Sequence, residues 1–170
     1  RVAPAYDVLV IHDGDSFVPA AALRGAVEAV RGGAAGWAIP HGPVDRLTRE
    51  ATLRLLDGRP ARGRERPPYR GVAGGGIVAL RPDLYAVAPF DRRYVGWGQE
   101  DQSAGLAWET LAGRPWRGQA RLTHLWHPPA DRHTAGTGSP EGARLWARYR
   151  RAHLDRQAMM ALIDEAREPR

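Results

Sequence analysis

The chain has 170 residues, 43% of them hydrophobic, which suffices for one domain with a real core. It contains no cysteine, so disulfides and thiolate metal sites are excluded, and a bound metal would rest on Asp, Glu and His and be a hard or borderline ion. The formal charge of +6 is carried by arginine alone, since neither lysine nor asparagine occurs; this suggests biased codon usage and does not by itself argue for a nucleic-acid partner.

Arg1-Val2-Ala3-Pro4 shows no signal-peptide pattern and no initiator Met, and no apolar run approaches the roughly 20 residues of a membrane span. The expectation is a soluble, cytoplasmic chain whose first residue is internal to something longer. Tyr6-Asp7-Val8-Leu9-Val10-Ile11 reads as a buried strand that ends at polar His12 and Asp13. After Pro19, the residues Ala22, Leu23, Ala26, Val27 and Val30 recur at helical spacing up to the stop at Gly32-Gly33. Gly36 to Pro40 is a short strand candidate, and Val44 to Leu56 offers Leu47, Ala51, Leu55 and Leu56 to a helical face. Arg59 to Pro68 has no periodicity and reads as an exposed loop, whose arginines, through Arg70, offer bidentate donors for a diphosphate. Gly74-Gly75-Gly76 opens a second buried strand, Ile77 to Leu80, with a helical turn from Pro82. Glu100 to Leu111 is predicted helical with Gly113 as its stop, Ala120 to Trp126 is a strand before Pro128-Pro129, and Glu141 to Arg167 forms two amphipathic helices split near His153-Leu154-Asp155. Strand, loop and helix alternate as in α/β folds.

Asp13-Gly14-Asp15 follows the first strand, at the carboxyl end where ligands of open α/β sheets collect. If the backbone stays extended, both carboxylates point to one side about 6 to 7 Å apart and repel by roughly 2 to 3 kcal/mol at an effective dielectric near 20. A divalent cation reverses that sign, and hard oxygen ligands suit Mn²⁺ or Mg²⁺. The competing reading is a plain Asp-Gly turn. Downstream, Gly96 and Gly98 flank Trp97, whose ring offers a wall for a sugar face, and Glu100 and Asp101 stand at a helix start that favours their ionised forms. The bland alternative there is a pair of helix-capping carboxylates.

Taken together, Asp13 and Asp15 with Phe17 and Pro19 after them, Gly75-Gly76-Ile77-Val78-Ala79-Leu80, Phe90 and Gly96-Trp97-Gly98-Gln99-Glu100-Asp101 resemble, in order and spacing, a known segment. It is the galactosyltransferase-type C-terminal segment of β-1,4-galactosyltransferases and polypeptide N-acetylgalactosaminyltransferases, with relatives in bacterial polysaccharide synthases. The resemblance runs from about Tyr6 to His127. It implies an α/β, GT-A-like (Rossmann-like) mixed sheet flanked by helices, with a catalytic part over residues 1–130 and a linker with a helical C-terminal tail over 131–170. It further implies a glycosyltransferase that uses Mn²⁺ or Mg²⁺ to move a hexose from a nucleoside-diphosphate sugar, a UDP-sugar above all, to a saccharide or other hydroxyl acceptor, in the inverting manner. Asp15 would bind the metal and Asp13 the donor or the metal's surroundings. Asp101 would be the base with Glu100 at the acceptor, and Gly75, Gly76, Trp97 and Gly98 would shape the substrate pocket.

The family's third metal ligand is a histidine, for which His124 and His127 are the candidates. Three residues apart on a strand they face opposite ways, so one is expected to reach the metal, and His127, just before the break, is preferred. His12, His41, His133 and His153 read as structural or exposed. A complete GT-A domain places its base-binding strands before the Asp-x-Asp strand, and almost nothing precedes it here, so the expectation is a piece lacking that half. Three other readings stay open: a non-catalytic carbohydrate- or nucleotide-binding relative, a metal-dependent hydrolase of nucleotide sugars, and an Arg-rich nucleic-acid-binding protein.

Overall fold

A computed structural model of the chain describes residues 6–70, 76–95, 99–128 and 139–167. Among them the fold is mixed α/β. The strands are β1 (Leu9–His12), β2 (Ser16–Phe17), β3 (Trp37–Arg46), β4 (Tyr69–Arg70), β5 (Ile77–Leu80) and β6 (Trp116–His124). The helices are α1 (Ala20–Arg31), α2 (Arg49–Leu56), α3 (Pro82–Val87), α4 (Glu100–Ala112), α5 (Pro140–Ala152) and α6 (Arg156–Arg167). The sheet order is β1-β5-β3-β6-β2 with β4 beside β3; only the β3–β6 pair is parallel.

Helix limits follow the sequence closely where a stop residue is present: Gly32 caps α1 and Gly113 caps α4. Three strand expectations need correction. β1 is no buried strand, because it pairs only with β5 at the sheet edge, and Val10 is 38% exposed. β3 is twice the expected length and takes Val44 to Arg46 away from the predicted helix, which begins only at Arg49, with the Thr48 hydroxyl accepting from the Ala51 N–H as its cap. β6 begins at Trp116 and ends at His124, two residues before the expected Trp126.

β3 survives Pro40 and Pro43 because its pairing with β6 slips between Ile39 and His41 and again between His41 and Val44, and bulges tolerate a residue without an N–H. The two backbones meet closely at Gly118, where a Cβ would stand 2.2 Å from the Pro40 carbonyl oxygen. Gly118→Ala therefore forces backbone apart rather than a side chain aside. It is expected to cost about 3 kcal/mol or more in urea unfolding.

Trp116 joins Ala26, Val30, Ala38 and Ala79 on the α1 side, and Leu122 joins Val44 and Ile77 with Val18 and Leu23. The other face, under α4, holds Trp37, Ile39, Val78 and Leu80 against Ala104, Ala107 and Trp108. Trp37 and Trp108 meet edge to face at 5.6 Å, and each indole N–H donates to a carbonyl, of Gly113 and Ala88, at 2.8 Å.

α5 and α6 place Leu145, Tyr149, Ala152, Met159, Leu162 and Ile163 in this same core. A buried clamp fastens them. The Asp91 carboxylate accepts from Arg93 at 2.7 Å and from the Tyr149 hydroxyl at 2.9 Å, and Arg93 also donates to the Leu162 carbonyl at 2.9 Å. Burial pushes the Asp91 carboxyl up, but the hydrogen bonds from Arg93 and Tyr149 outweigh it and leave it below the ordinary range. A lowered folded-state value means that the clamp stabilises above the unfolded carboxyl's pKa and is lost as pH falls through the folded one. Tyr149→Phe is expected to cost about 1.5 to 2 kcal/mol at neutral pH, with the difference shrinking in acid-unfolding curves.

Candidate metal and acid–base site

β1 ends against β5, and the next residues cross to β6 on the far side of the curled sheet. The Asp13 N–H donates to the Gly76 carbonyl at 2.7 Å, and the Leu125 N–H donates to the Asp15 carbonyl at 2.7 Å. The Asp-Gly-Asp segment is thus pinned from both flanks. It is not extended: the Ser16 N–H returns to the Asp13 carbonyl at 3.2 Å, which makes a turn. The His12 ring also hydrogen-bonds through Nε2 to the Ser16 carbonyl. Gly76 has φ +125, and a Cβ there would lie 2.6 Å from Leu122 and 3.1 Å from the Ser16 hydroxyl, so the glycine lets the turn settle on β5 and β6.

Asp15, His124 and His127 converge, each offering a ligand atom within 4.8 Å of the others. The Asp15 carboxylate stands 3.3 Å from His127 Nε2 and 3.9 Å from His124 Nε2. Two ligands each about 2.1 Å from a shared ion are at most about 4.3 Å apart, so these pairs fit a divalent cation. The expectation that only one histidine reaches the site is overturned by where β6 ends. His124 is its last residue, and the chain then leaves the strand, so the alternation that would turn His127 away no longer applies.

Each ring is oriented by its other nitrogen. His124 Nδ1 faces the Leu125 carbonyl at 2.7 Å, and His127 Nδ1 faces the Pro128 carbonyl at 2.8 Å. Carbonyl oxygens only accept, so both Nδ1 atoms carry a proton, and both Nε2 atoms face the Asp15 carboxylate. With Nε2 deprotonated, the three side chains suit a cation. Arg46, at the end of β3, donates at 3.1 Å to His127 Nε2, the atom a cation would take, and pairs with Glu65 at 3.0 Å, so ion binding has to displace the first of these contacts. Nothing in its sequence neighbourhood marked it; only the parallel pairing of Arg46 with His124 brings it here.

Glu100 and Asp101 open α4 as expected. The residue before them, Gln99, is left-handed at φ 65, a costly conformation for a side-chain-bearing residue of the kind that gathers at functional sites. Asp101 Oδ1 accepts from the Gln102 N–H at 2.7 Å. Burial raises its carboxyl to about 6 against that hydrogen bond, with Glu100 and Asp13 adding like charge. Asp13 is raised too, by burial and then by Asp15, with Glu100 contributing. The turn therefore sends Asp15 to the histidines, while the Asp13 carboxyl feels the charges of both Asp15 and Glu100.

Gly75, Trp97 and Gly98 lie outside the described residues, as does His133. His41 is fully buried in β3, where burial lowers its pKa, and His153 stands 3.4 Å from Glu109. Of the arginine run, Arg59 pairs with Asp57, Arg64 with Asp45, and Arg66 covers the Tyr69 ring at 3.9 Å; the guanidinium at the cluster is Arg46. No helix among the described residues is long and apolar enough to cross a membrane. Compared with protein-family models, with curated proteins and with solved structures, the chain matches none.

Proposed function

We propose that the protein is a metal-dependent glycosyltransferase of the GT-A type, moving a hexose from a nucleoside-diphosphate sugar to an acceptor hydroxyl with inversion. The observation that carries this reading is a convergence. Asp15, His124 and His127 converge, and Asp13 couples electrostatically both to Asp15 and His124 and to Glu100 and Asp101. A transferase needs both halves of that set: a cation site for a diphosphate leaving group and a base for the acceptor.

Asp15, His124 and His127 would hold Mn²⁺ or Mg²⁺, which supplies positive charge against the departing diphosphate. Arg46, beside His127, adds a guanidinium suited to a phosphate oxygen. Asp101 takes the proton of the acceptor hydroxyl, the hydroxyl oxygen bonds to the anomeric carbon, and the bond to the diphosphate breaks with its electrons leaving on oxygen. Glu100 holds the acceptor, and Asp13, coupled electrostatically to Asp15 and to Glu100, contacts the donor or the metal's surroundings. With its carboxyl at about 6, Asp101 is mostly ionised at neutral pH yet basic enough to share a proton.

Incubated with a panel of sugar nucleotides, Mn²⁺ and saccharide acceptors, the protein is expected to release nucleoside diphosphate only when an acceptor is present. The rate should climb with pH through about 6. Release without acceptor would instead assign a metal-dependent hydrolase, and donor binding without release a non-catalytic carbohydrate- or nucleotide-binding relative.

A further inference from the structure

The α4-side face of β6 carries charge beyond the reach of α4. Arg117, paired with Ile39, Thr123, paired with Asp45, and the exposed Arg121 lie on that face. At the end near the metal cluster, Asp45 is bound by Arg64 at 2.8 Å and by Arg121 at 3.0 Å, two guanidinia on one carboxylate. At the other end, Arg117 lines a cavity of about 290 Å³ with Gly105, Leu106 and Glu109 of α4 and with Arg114. Arg70, on β4, is close enough to Arg117 to repel it.

The cavity and the acidic pair share a helix stripe. Asp101, Gly105 and Glu109 follow at intervals of four, and eight residues of helix span about 12 Å. Arg121 to Arg117 covers about 13 Å of strand alongside. Gly105, itself buried, lines the cavity between the two. An acceptor whose hydroxyl meets Asp101 would therefore continue toward the cavity at Glu109 with the arginines against its flank.

We propose that this strip is the track of an acidic oligosaccharide acceptor, whose anionic groups meet Arg117, Arg70 and Arg121 while its hydroxyls donate to Glu109. The inference rests on the glycosyltransferase reading above for its anchor at Asp101. An acidic saccharide fits better than a nucleic acid. The carboxylate of Glu109 opposes an unbroken run of phosphates but accepts from sugar hydroxyls, and Trp37 in the cavity is 2% exposed, too buried for base stacking.

The test is equilibrium binding of fluorescent hexagalacturonate, maltohexaose and a short oligothymidylate to the full chain with Mn²⁺. Hexagalacturonate should bind, weaken with added salt, and lose about tenfold or more in Arg117→Gln/Arg121→Gln and in the exposed pair Arg70→Gln/Arg114→Gln. Arg24→Gln/Arg31→Gln, an equal charge change on α1, should leave it unaltered. Thermal melts of each variant show that it is folded. Equal losses in the α1 control, tighter binding of maltohexaose, or oligothymidylate binding as well and losing as much would each overturn the proposal. Arginine-dependent hexagalacturonate binding without any acceptor-dependent donor turnover would retain the track and remove the transferase reading; turnover with arginine-independent binding would do the opposite.

Discussion

Asp101→Asn is expected to do two opposite things at once: reduce sugar transfer by roughly 10²- to 10⁴-fold, the usual contribution of a positioned base, and make the protein more stable at neutral pH. The second effect comes from burial, the largest cause of the rise of the Asp101 carboxyl to about 6. A carboxyl raised in the folded state stabilises the fold only while protonated. That contribution is complete below the unfolded pKa of 3.8 and disappears as pH rises through about 6. At pH 7.5 the ionised wild-type side chain therefore carries a penalty on the order of 2 to 3 kcal/mol, which the neutral amide relieves while its oxygen keeps the Gln102 N–H. Urea unfolding should show the variant ahead at pH 7.5 and level with wild type near pH 3.5. Loss of activity without the stability gain would mean that Asp101 is not held buried as described.

His124→Ala and His127→Ala are each expected to weaken Mn²⁺ binding by about 100-fold or more, beyond the 10- to 100-fold typical of outer-shell partners. Titration calorimetry on each variant gives the answer directly. Near-normal affinity in His124→Ala with full loss in His127→Ala would restore the one-histidine arrangement that strand alternation suggests. Adding Mn²⁺ should also raise the melting temperature of the wild type far more than that of either variant, since an ion binding only the folded state stabilises by mass action.

Much of this site is legible in the chain because its parts are local. Asp13-Gly14-Asp15 sits at the end of an apolar run, and Glu100-Asp101 lies between the Gly96-Trp97-Gly98 sequence and a periodic helix with a glycine stop. What escapes is what depends on partners far away. Pro40 and Pro43 read as strand breakers, and only the bulged pairing with β6 keeps β3 going to Arg46. The end of β6 at His124, set by where its partners run out, decides that both histidines share a site. Arg46 becomes a site residue through that same pairing. Between the extended form and the turn that Asp13-Gly14-Asp15 allows, distant partners decide: the Asp13 N–H donates to Gly76, Leu125 donates to Asp15, and the segment closes as a turn.

The clamp at Asp91 reaches further than stability. Arg93 and Tyr94 precede α4 in the chain, and Tyr94 hydrogen-bonds Ser103, in the first turns of that helix, at 2.6 Å. Whatever holds Arg93 therefore helps aim Glu100 and Asp101, and what holds it is the Leu162 carbonyl of α6 together with Asp91, itself gripped by Tyr149 of α5. A chain cut short before α5 would keep every acid and histidine of the site, yet in an activity screen it would be indistinguishable from an active-site knockout.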